Sequence, residues 1–332
     1  MTGVVLMSEV RKHYFLDEYC IIAPERGLRP SDFEKRRGER GDGGSAVSGG
    51  EEECVFCLGN EAKTPPGTAV YTSDGVVRDE SSGVVRDWLV RCFPNRYPVL
   101  SPDGCSIDDP LGCGFGFHEV IVETPLHDRE PSSFSDDEIT RLVGVYKDRY
   151  EFYMGVAGVE FVSLFKNHGS SAGASILHSH SQLVALPLVP PRFSLEVDGE
   201  ECRFCDIITF ESGSERLILM RDGWAVFAPY FSRYPFEVWI APVKHLSDLS
   251  GLDDVSSFAL VLRDLLSSMR ALFGEFSYNY VFFQCNSKEY HLHVKVFPRF
   301  SVSAGFEENT GIYINSVAPE DAAAELRGVI KP

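Results

Sequence analysis

One order of parts occurs twice in the chain. Each half opens with Cys-x-Phe-Cys, at Cys54–Cys57 (CVFC) and at Cys202–Cys205 (CRFC). An apolar, β-branched stretch then leads to a histidine: VIVETPLH ends at His127 and VWIAPVKH at His245. A helical pattern follows. Ser135 and Glu138 form a capping box ahead of Ile139, Leu142, Val143 and Tyr146, and Asp253 or Asp254 precedes Phe258, Val261, Leu262 and Leu265 at similar spacing. A strand comes next, FVSLF (Phe161–Phe165) or YVFFQ (Tyr280–Gln284). Each half closes on a His-x-His strand, HSHSQ (His178–Gln182) or HLHVK (His291–Lys295). The repeat is a diverged tandem duplication of a strand-rich unit with one main helix. It predicts an α+β fold in which each unit is an antiparallel sheet with a packed helix. The proline-rich ALPLVPPRF (Ala185–Phe193) marks the boundary, giving halves 1–190 and 191–332. Residues 36–53, dominated by Gly, Ser and charge, read as a flexible surface loop.

Composition narrows the class. A length of 332 residues suits about two domains. No apolar run reaches the ~18 residues of a membrane span. Met1–Met7 has no basic region ahead of its short apolar stretch, so a secretory signal is not expected and the cytoplasm is. Lys and Arg number 31 against 49 Asp and Glu, and 31 − 49 = −18 argues against nucleic acid as a partner. Nine scattered cysteines, an odd count, look like free or metal-binding thiols in a reducing compartment and not like a disulfide framework.

The C-x2-C pairs set up the metal expectation, because that spacing lets both thiolates reach one tetrahedral ion. Each half holds the partners for a Cys2His2 site: Cys54, Cys57, His127 and His178 in the first, Cys202, Cys205, His245 and His291 in the second. Repetition of the same C-x-F-C disfavours plain buried cysteines or redox pairs. Both sites would be closed, hence structural, with about two Zn2+ per chain.

HSHSQ is the densest polar motif. On a strand His178, His180 and Gln182 share one face while Ser179 and Ser181 point away. With His178 on metal, His180 is an oriented imidazole able to act as base or nucleophile near neutral pH. Upstream, KNHGSSAGAS (Lys166–Ser175) is a small-residue loop between two strands that can turn backbone N–H groups and hydroxyls onto a phosphate. Arg26 and Arg29, with Lys166, could add positive charge there, although from the pattern alone the two arginines read as part of a solvated loop.

The H-x-H-x-Q motif after a Gly/Ser loop, in a two-half chain, resembles the galactose-1-phosphate uridylyltransferase family of the histidine-triad superfamily. The likeness extends over IAPERGLRPSDF (Ile22–Phe33), CVFC, RCFPNRYP (Arg91–Pro98), GFHEVIVETPLH (Gly116–His127), FKNHGSSAGASILHSHSQ (Phe165–Gln182), YPFEVWIAPVKH (Tyr234–His245) and GFEENTGIYINSVAPED (Gly305–Asp321). It implies a double displacement. His180 matches the family nucleophile, which attacks the α-phosphate of a nucleotide sugar, expels the sugar 1-phosphate and carries the nucleotide to a second phosphate-bearing acceptor. Gln182 matches the glutamine that holds the phosphoryl oxygens, and Ser175 a serine on the departing phosphate. Asn95 and Asn167 match nucleotide-side contacts, Arg26 and Arg29 phosphate-binding arginines, and Phe306 and Glu307 the C-terminal segment that reaches the sugar. Cys54, Cys57, His127 and His178 match the family zinc site. A homodimer is also implied.

Three departures stand out. Ser179 replaces the proline that bacterial and animal uridylyltransferases carry between the histidines, Cys202 and Cys205 add a cysteine pair that their second metal site lacks, and Arg96 stands where they carry an acidic residue. HSHSQ, the second C-x2-C and the C-terminal segment look more like the ADP-glucose phosphorylase branch, which transfers AMP to inorganic phosphate. The leading expectation is uridylyl transfer from UDP-glucose to galactose 1-phosphate, with the ADP-glucose phosphorylase reaction as the alternative. A nucleotide hydrolase would carry a third histidine at Gln182, and a non-catalytic zinc-binding module predicts metal without chemistry at His180. The second half has His293 where the first has His180, Lys295 in place of Gln182, and QCNSKEY (Gln284–Tyr290) in place of the Gly/Ser loop. It reads as a degenerate scaffold.

Overall fold

A computed structural model describes residues 8–12, 19–22, 54–80, 83–103, 111–195 and 202–331. Arg26, Arg29 and the expected loop at 36–53 lie outside them. The strands are β1 (Glu9–Lys12), β2 (Tyr19–Ile22), β3 (Ala69–Thr72), β4 (Gly75–Val77), β5 (Val90–Pro94), β6 (Phe117–Val122), β7 (Phe161–His168), β8 (His180–Leu186), β9 (Leu217–Arg221), β10 (Trp224–Phe227), β11 (Val238–Pro242), β12 (Tyr278–Phe283) and β13 (His293–Pro298). The helices are α1 (Asp136–Met154), α2 (Pro191–Leu195), α3 (Arg203–Ser212), α4 (Val255–Phe273), α5 (Gly305–Thr310) and α6 (Pro319–Arg327). No helix among the described residues is long and apolar enough to cross a membrane.

Two compact units emerge. The first comprises Met1–Asp128, Phe152–Leu164 and Ser175–Ser194; the second Arg129–Glu151, Phe165–Ala174 and Leu195–Pro332. In the first, strands run in the order β4-β3-β5-β6-β8, followed by the opening residues of β7. β6 and β8 are antiparallel, with Val122 opposite His180 and Val120 opposite Gln182. Inward-facing Phe56, Val70, Trp88, Phe93, Val120 and Val122 form a core beneath the first cysteine pair. That core removes apolar surface from water and clamps the turn that carries the cysteines.

In the second unit the order is β7-β12-β13-β11-β10-β9. Both long helices meet β12. Tyr146 of α1 shares a 2.6 Å hydroxyl–hydroxyl hydrogen bond with Tyr280 and packs edge-on to Phe282, which also meets Phe258 of α4. Both predicted caps form. Ser135 N–H donates to Glu138 and Glu138 N–H to Ser135 Oγ ahead of α1, while Asp254 caps α4 by accepting from Ser256 N–H. The α+β class and the antiparallel sheets with packed helices are thus as the sequence predicts.

Two expectations need correction. Cys113 is disulfide-bonded, so not every cysteine is a thiol or metal-directed, although Cys20, Cys54, Cys57, Cys92, Cys202, Cys205 and Cys285 are not in disulfides. Each His-x-His motif straddles a strand start instead of lying on it: β8 begins at His180 and β13 at His293. His178 and His291 precede their strands because each ring reaches back to a cysteine pair.

Candidate active site

Each C-x-F-C folds as a tight turn. Cys57 N–H donates to Cys54 C=O at 3.3 Å and Cys205 N–H to Cys202 C=O at 3.0 Å. The first turn is held from below, where Asn60 donates to Cys54 C=O and Glu61 accepts from Trp88 Nε1–H and Gly59 N–H. The second begins α3, with Cys202 at the N-cap. Both sets of four donors converge, each with every ligand atom within 4.8 Å of the others. In the first set, Sγ-to-Nδ1 separations are 3.7 Å (Cys54–His178), 3.2 Å (Cys57–His127) and 3.5 Å (Cys57–His178). In the second they are 3.6 Å (Cys202–His291), 3.5 Å (Cys205–His245) and 3.4 Å (Cys205–His291). Zinc–ligand lengths and tetrahedral angles require about 3.5 Å.

The tautomers fit the same ion. His178 Nε2–H donates to Thr124 C=O at 2.7 Å, and His291 Nε2–H donates to Pro242 C=O at 2.9 Å. His245 Nε2–H donates likewise to Lys288 C=O. A carbonyl can only accept, so in each neutral ring Nδ1 presents a lone pair to the sulfurs. Burial holds His291 down to about 4, neutral at pH 7. Burial and the neighbouring Cys202 push the Cys205 thiol up to about 11, a cost that a bound cation reverses. Both donor sets therefore suit a structural Zn2+.

Next to the first set, His180 Nδ1–H donates to His178 C=O at 2.8 Å, leaving the lone pair of the neutral ring on Nε2. The same bond can spread positive charge when Nε2 forms a new bond. Phe56 lies edge-on to this ring, at 5.2 Å and 68°. Ser179 and Ser181 turn the other way and both donate to buried Glu123, Ser179 at 2.5 Å. Sequence reasoning left that carboxylate without a role.

It also left out His118, although the motif containing it was recognised. His118 Nδ1 accepts from Val99 N–H at 3.2 Å, which places the proton on Nε2, 3.0 Å from Gln182 Oε1. Gln182 is thereby oriented oxygen-inward, and its two amide N–H groups form the other end. Asn95 Nδ2 lies 3.2 Å from the same His118 nitrogen, and its Oδ1 accepts from Tyr97 N–H. The structure thus gathers Asn95, Gln182, His180 and the first metal set in the first unit. Ser175 belongs to that unit and is exposed.

Other predicted residues lie in the second unit. Asn167 accepts from Asn279 Nδ2–H at 2.7 Å, and Asn279 also donates to Ala172 C=O at 3.0 Å, fixing the Gly/Ser loop to β12. Lys166 is 1% exposed, so it is no open phosphate-binding cation. Phe306 and Glu307 start the short α5, where Phe306 is exposed and Glu307 accepts from Ala304 N–H.

The second half differs at its counterpart of His180. His293 Nδ1–H again donates to the backbone, to His291 C=O at 2.9 Å. Here Phe204 lies flat on the ring, at 4.3 Å and 18°, and Phe283 is also stacked, at 5.0 Å and 13°. Burial drives the His293 pKa well down. An imidazole covered by stacked rings is a poor nucleophile for a bulky phosphorus centre.

Comparison with known proteins agrees with this geometry. A family model described as a domain of unknown function, DUF4921, matches residues 146–330. The ADP-glucose phosphorylase of Arabidopsis thaliana is 32% identical over 343 residues, covering 97% of this chain and 93% of its own. The galactose-1-phosphate uridylyltransferase of Thermotoga maritima is 27% identical, covering 97% and 98%. Among solved structures, an Arabidopsis thaliana ADP-glucose phosphorylase with bound ADP-glucose superposes with a TM-score of 0.73 at 29% identity, over 98% of this chain and all of that one. A uridylyltransferase mutant superposes with a TM-score of 0.75 at 25% identity, over 97% of each chain. Fold and relatives define an enzyme, a nucleotidyltransferase. The chain belongs to the galactose-1-phosphate uridylyltransferase family, in which ADP-glucose phosphorylase is a related member.

Proposed function

We propose that the chain moves a nucleoside monophosphate from a nucleotide sugar to a phosphate-bearing acceptor through a nucleotidyl-His180 intermediate. The observation that carries this is the His180 tautomer: Nδ1–H is spent on His178 C=O, so Nε2 carries the lone pair. In the first step Nε2 bonds to the α-phosphorus, the bond from that phosphorus to the bridging oxygen breaks, and a hexose 1-phosphate leaves. In the second step an acceptor phosphate oxygen bonds to the α-phosphorus and the P–N bond breaks, restoring the imidazole. Gln182, oriented by His118, offers amide N–H groups to the phosphoryl oxygens. Asn95, Asn167, Ser175, Arg26, Arg29, Phe306 and Glu307 are the proposed substrate contacts. The two Cys2His2 sets hold structural Zn2+ in this reading, and catalysis belongs to half 1–190, with 191–332 as its scaffold. A cytoplasmic homodimer completes the proposal.

Two donor–acceptor pairs fit the scheme. Transfer from UDP-glucose to galactose 1-phosphate is supported by the uridylyltransferase relatives. Phosphorolysis of ADP-glucose is supported by the 32% relative and by the residues in which the chain departs from uridylyltransferases: Ser179, engaged with Glu123, and the complete second cysteine pair. The second pair accounts for more of this chain's own residues. Incubation with UDP-glucose or ADP-glucose, each labelled at the α-phosphorus, is expected to give an acid-labile, base-stable protein adduct that His180→Ala lacks. Chasing it with galactose 1-phosphate or with phosphate identifies the acceptor. Absence of any adduct from both donors in the wild type would falsify the covalent scheme.

A further inference from the structure

The degenerate half retains a cavity of about 240 Å³ beside His293. Phe204, Ile207, Trp239 and Tyr290 give it apolar and aromatic walls. It is not the metal site: Cys202 and His291 border it, whereas Cys205 and His245 do not. Two polar groups meet there. Lys295 lines the cavity with its Nζ 4.1 Å from the Trp239 ring centre and 3.9 Å from that of Phe283, so its charge is held in place by two rings. His293 also lines it. That residue is 1% exposed, and its Nε2 has no hydrogen-bond partner among the described residues. With Nδ1–H committed to His291 C=O, Nε2 is an acceptor awaiting a donor.

The wall is rigid as well as aromatic. Trp239 Nε1–H donates to Glu237 at 2.7 Å, and the ring faces Lys295 as its direct cross-strand neighbour. Among the described residues, Arg203 and one carboxylate, Glu289, also line the cavity. Flat apolar walls, a fixed ammonium and a buried acceptor together match a ring, a phosphate and a hydroxyl. We propose that this cavity binds a nucleoside monophosphate without turning it over, as a second nucleotide site on the chain. Lys295 would pair with the phosphate, Nε2 of His293 would accept from a ribose hydroxyl, and the base would lie against Trp239 and Phe204. Lysine in place of Gln182 suits holding a phosphate, and the stacked Phe204 withholds the imidazole from attack at phosphorus. The proposal goes beyond the transfer reaction and does not depend on which nucleotide the first half moves.

The test uses the intact, metal-loaded protein titrated with AMP, UMP and glucose 1-phosphate. Tryptophan emission and equilibrium dialysis are read together. Of three tryptophans, Trp88 and Trp224 are buried elsewhere, so Trp239 reports this cavity. AMP or UMP is expected to quench emission saturably in the wild type, and Trp239→Phe is expected to lose that quench. Lys295→Met should weaken the binding by about tenfold, with Lys295→Arg close to wild type, the scale of one charge-assisted contact. The idea is overturned by no saturable quench with either nucleotide, or by a quench that persists in Trp239→Phe. Equal affinity in Lys295→Met, or equal loss in both Lys295 variants, also overturns it. So does glucose 1-phosphate binding as tightly as the nucleotides.

Discussion

At the scale of single residues, the site turns on which nitrogen carries a proton. Backbone carbonyls fix His178, His180, His291 and His293, while the Val99 N–H fixes His118 in the opposite sense. His118 is the least expected of these. It makes Gln182 present its amide N–H end, so His118→Ala should let that amide turn over. We expect kcat/KM to fall roughly 10–100-fold, the scale of losing an orienting partner, with zinc content unchanged. A steady-state assay beside metal analysis checks this; an unchanged rate would separate His118 from the reaction. The two Cys2His2 groupings that the structure brings together were legible in the sequence, because spacing and repetition carry them, and the role proposed for His180 rests on the family resemblance. The roles of His118 and Glu123 were not legible. Their partners, Gln182 for His118 and Ser179 and Ser181 for Glu123, lie more than fifty positions away, and only the β6–β8 register brings them together.

Elements show the same division between local and non-local information. Both helix caps were readable, since a cap is a matter of three or four adjacent residues. The starts of β8 and β13 were not, because the ring that leaves the strand does so to reach a distant cysteine pair. The Gly/Ser loop after β7 shows what packing adds. Gly169 has φ +79°, and a Cβ there would run into the Ser277 side chain. Gly169→Ala should therefore cost about 1–3 kcal/mol and displace the loop, read as a lower Tm and a raised KM for the nucleotide sugar. A second contact ties the segment after β4 to β5. Asp79 and Arg91 form a buried ion pair at 2.6 Å. Burial alone would raise the Asp79 pKa, but hydrogen bonds from Val85 N–H, Arg91 and Gly67 N–H outweigh it and hold the carboxyl below its ordinary 3.8. A depressed carboxylate contributes stability that is complete above its unfolded value and is lost as pH falls through the folded one. Urea unfolding should thus weaken below about pH 4 in the wild type. Asp79→Asn should be less stable by about 3–5 kcal/mol at pH 7 and show a flatter acid limb.

For the whole molecule, the duplication explains the fold class, but chain order does not set the compact units. Residues Arg129–Glu151 and Phe165–Ala174 group with Leu195–Pro332, because Tyr146 and Asn167 find their partners on β12, at Tyr280 and Asn279. Periodicity identified α1 without saying which sheet would receive it. Net charge is the other whole-molecule property, and it sharpens the proposed reaction. Both substrates of a nucleotidyl transfer are anions, while the protein carries −18. Lys166 is buried, so in the proposed reading attraction comes from hydrogen-bond donors at the site and from the arginines proposed as phosphate contacts at 26 and 29, not from a field that reaches into solvent. The Debye length shrinks from about 30 Å at 0.01 M salt to about 8 Å at 0.15 M. Over that range the long-range repulsion is screened, while contacts within a few ångströms survive. We therefore expect kcat/KM to hold or rise, by at most a few-fold, when salt is increased from 0.01 to 0.15 M at constant pH. A steep fall would mean that substrates are steered by a positive surface, and the phosphate-binding cations would then have to be sought among residues other than those proposed.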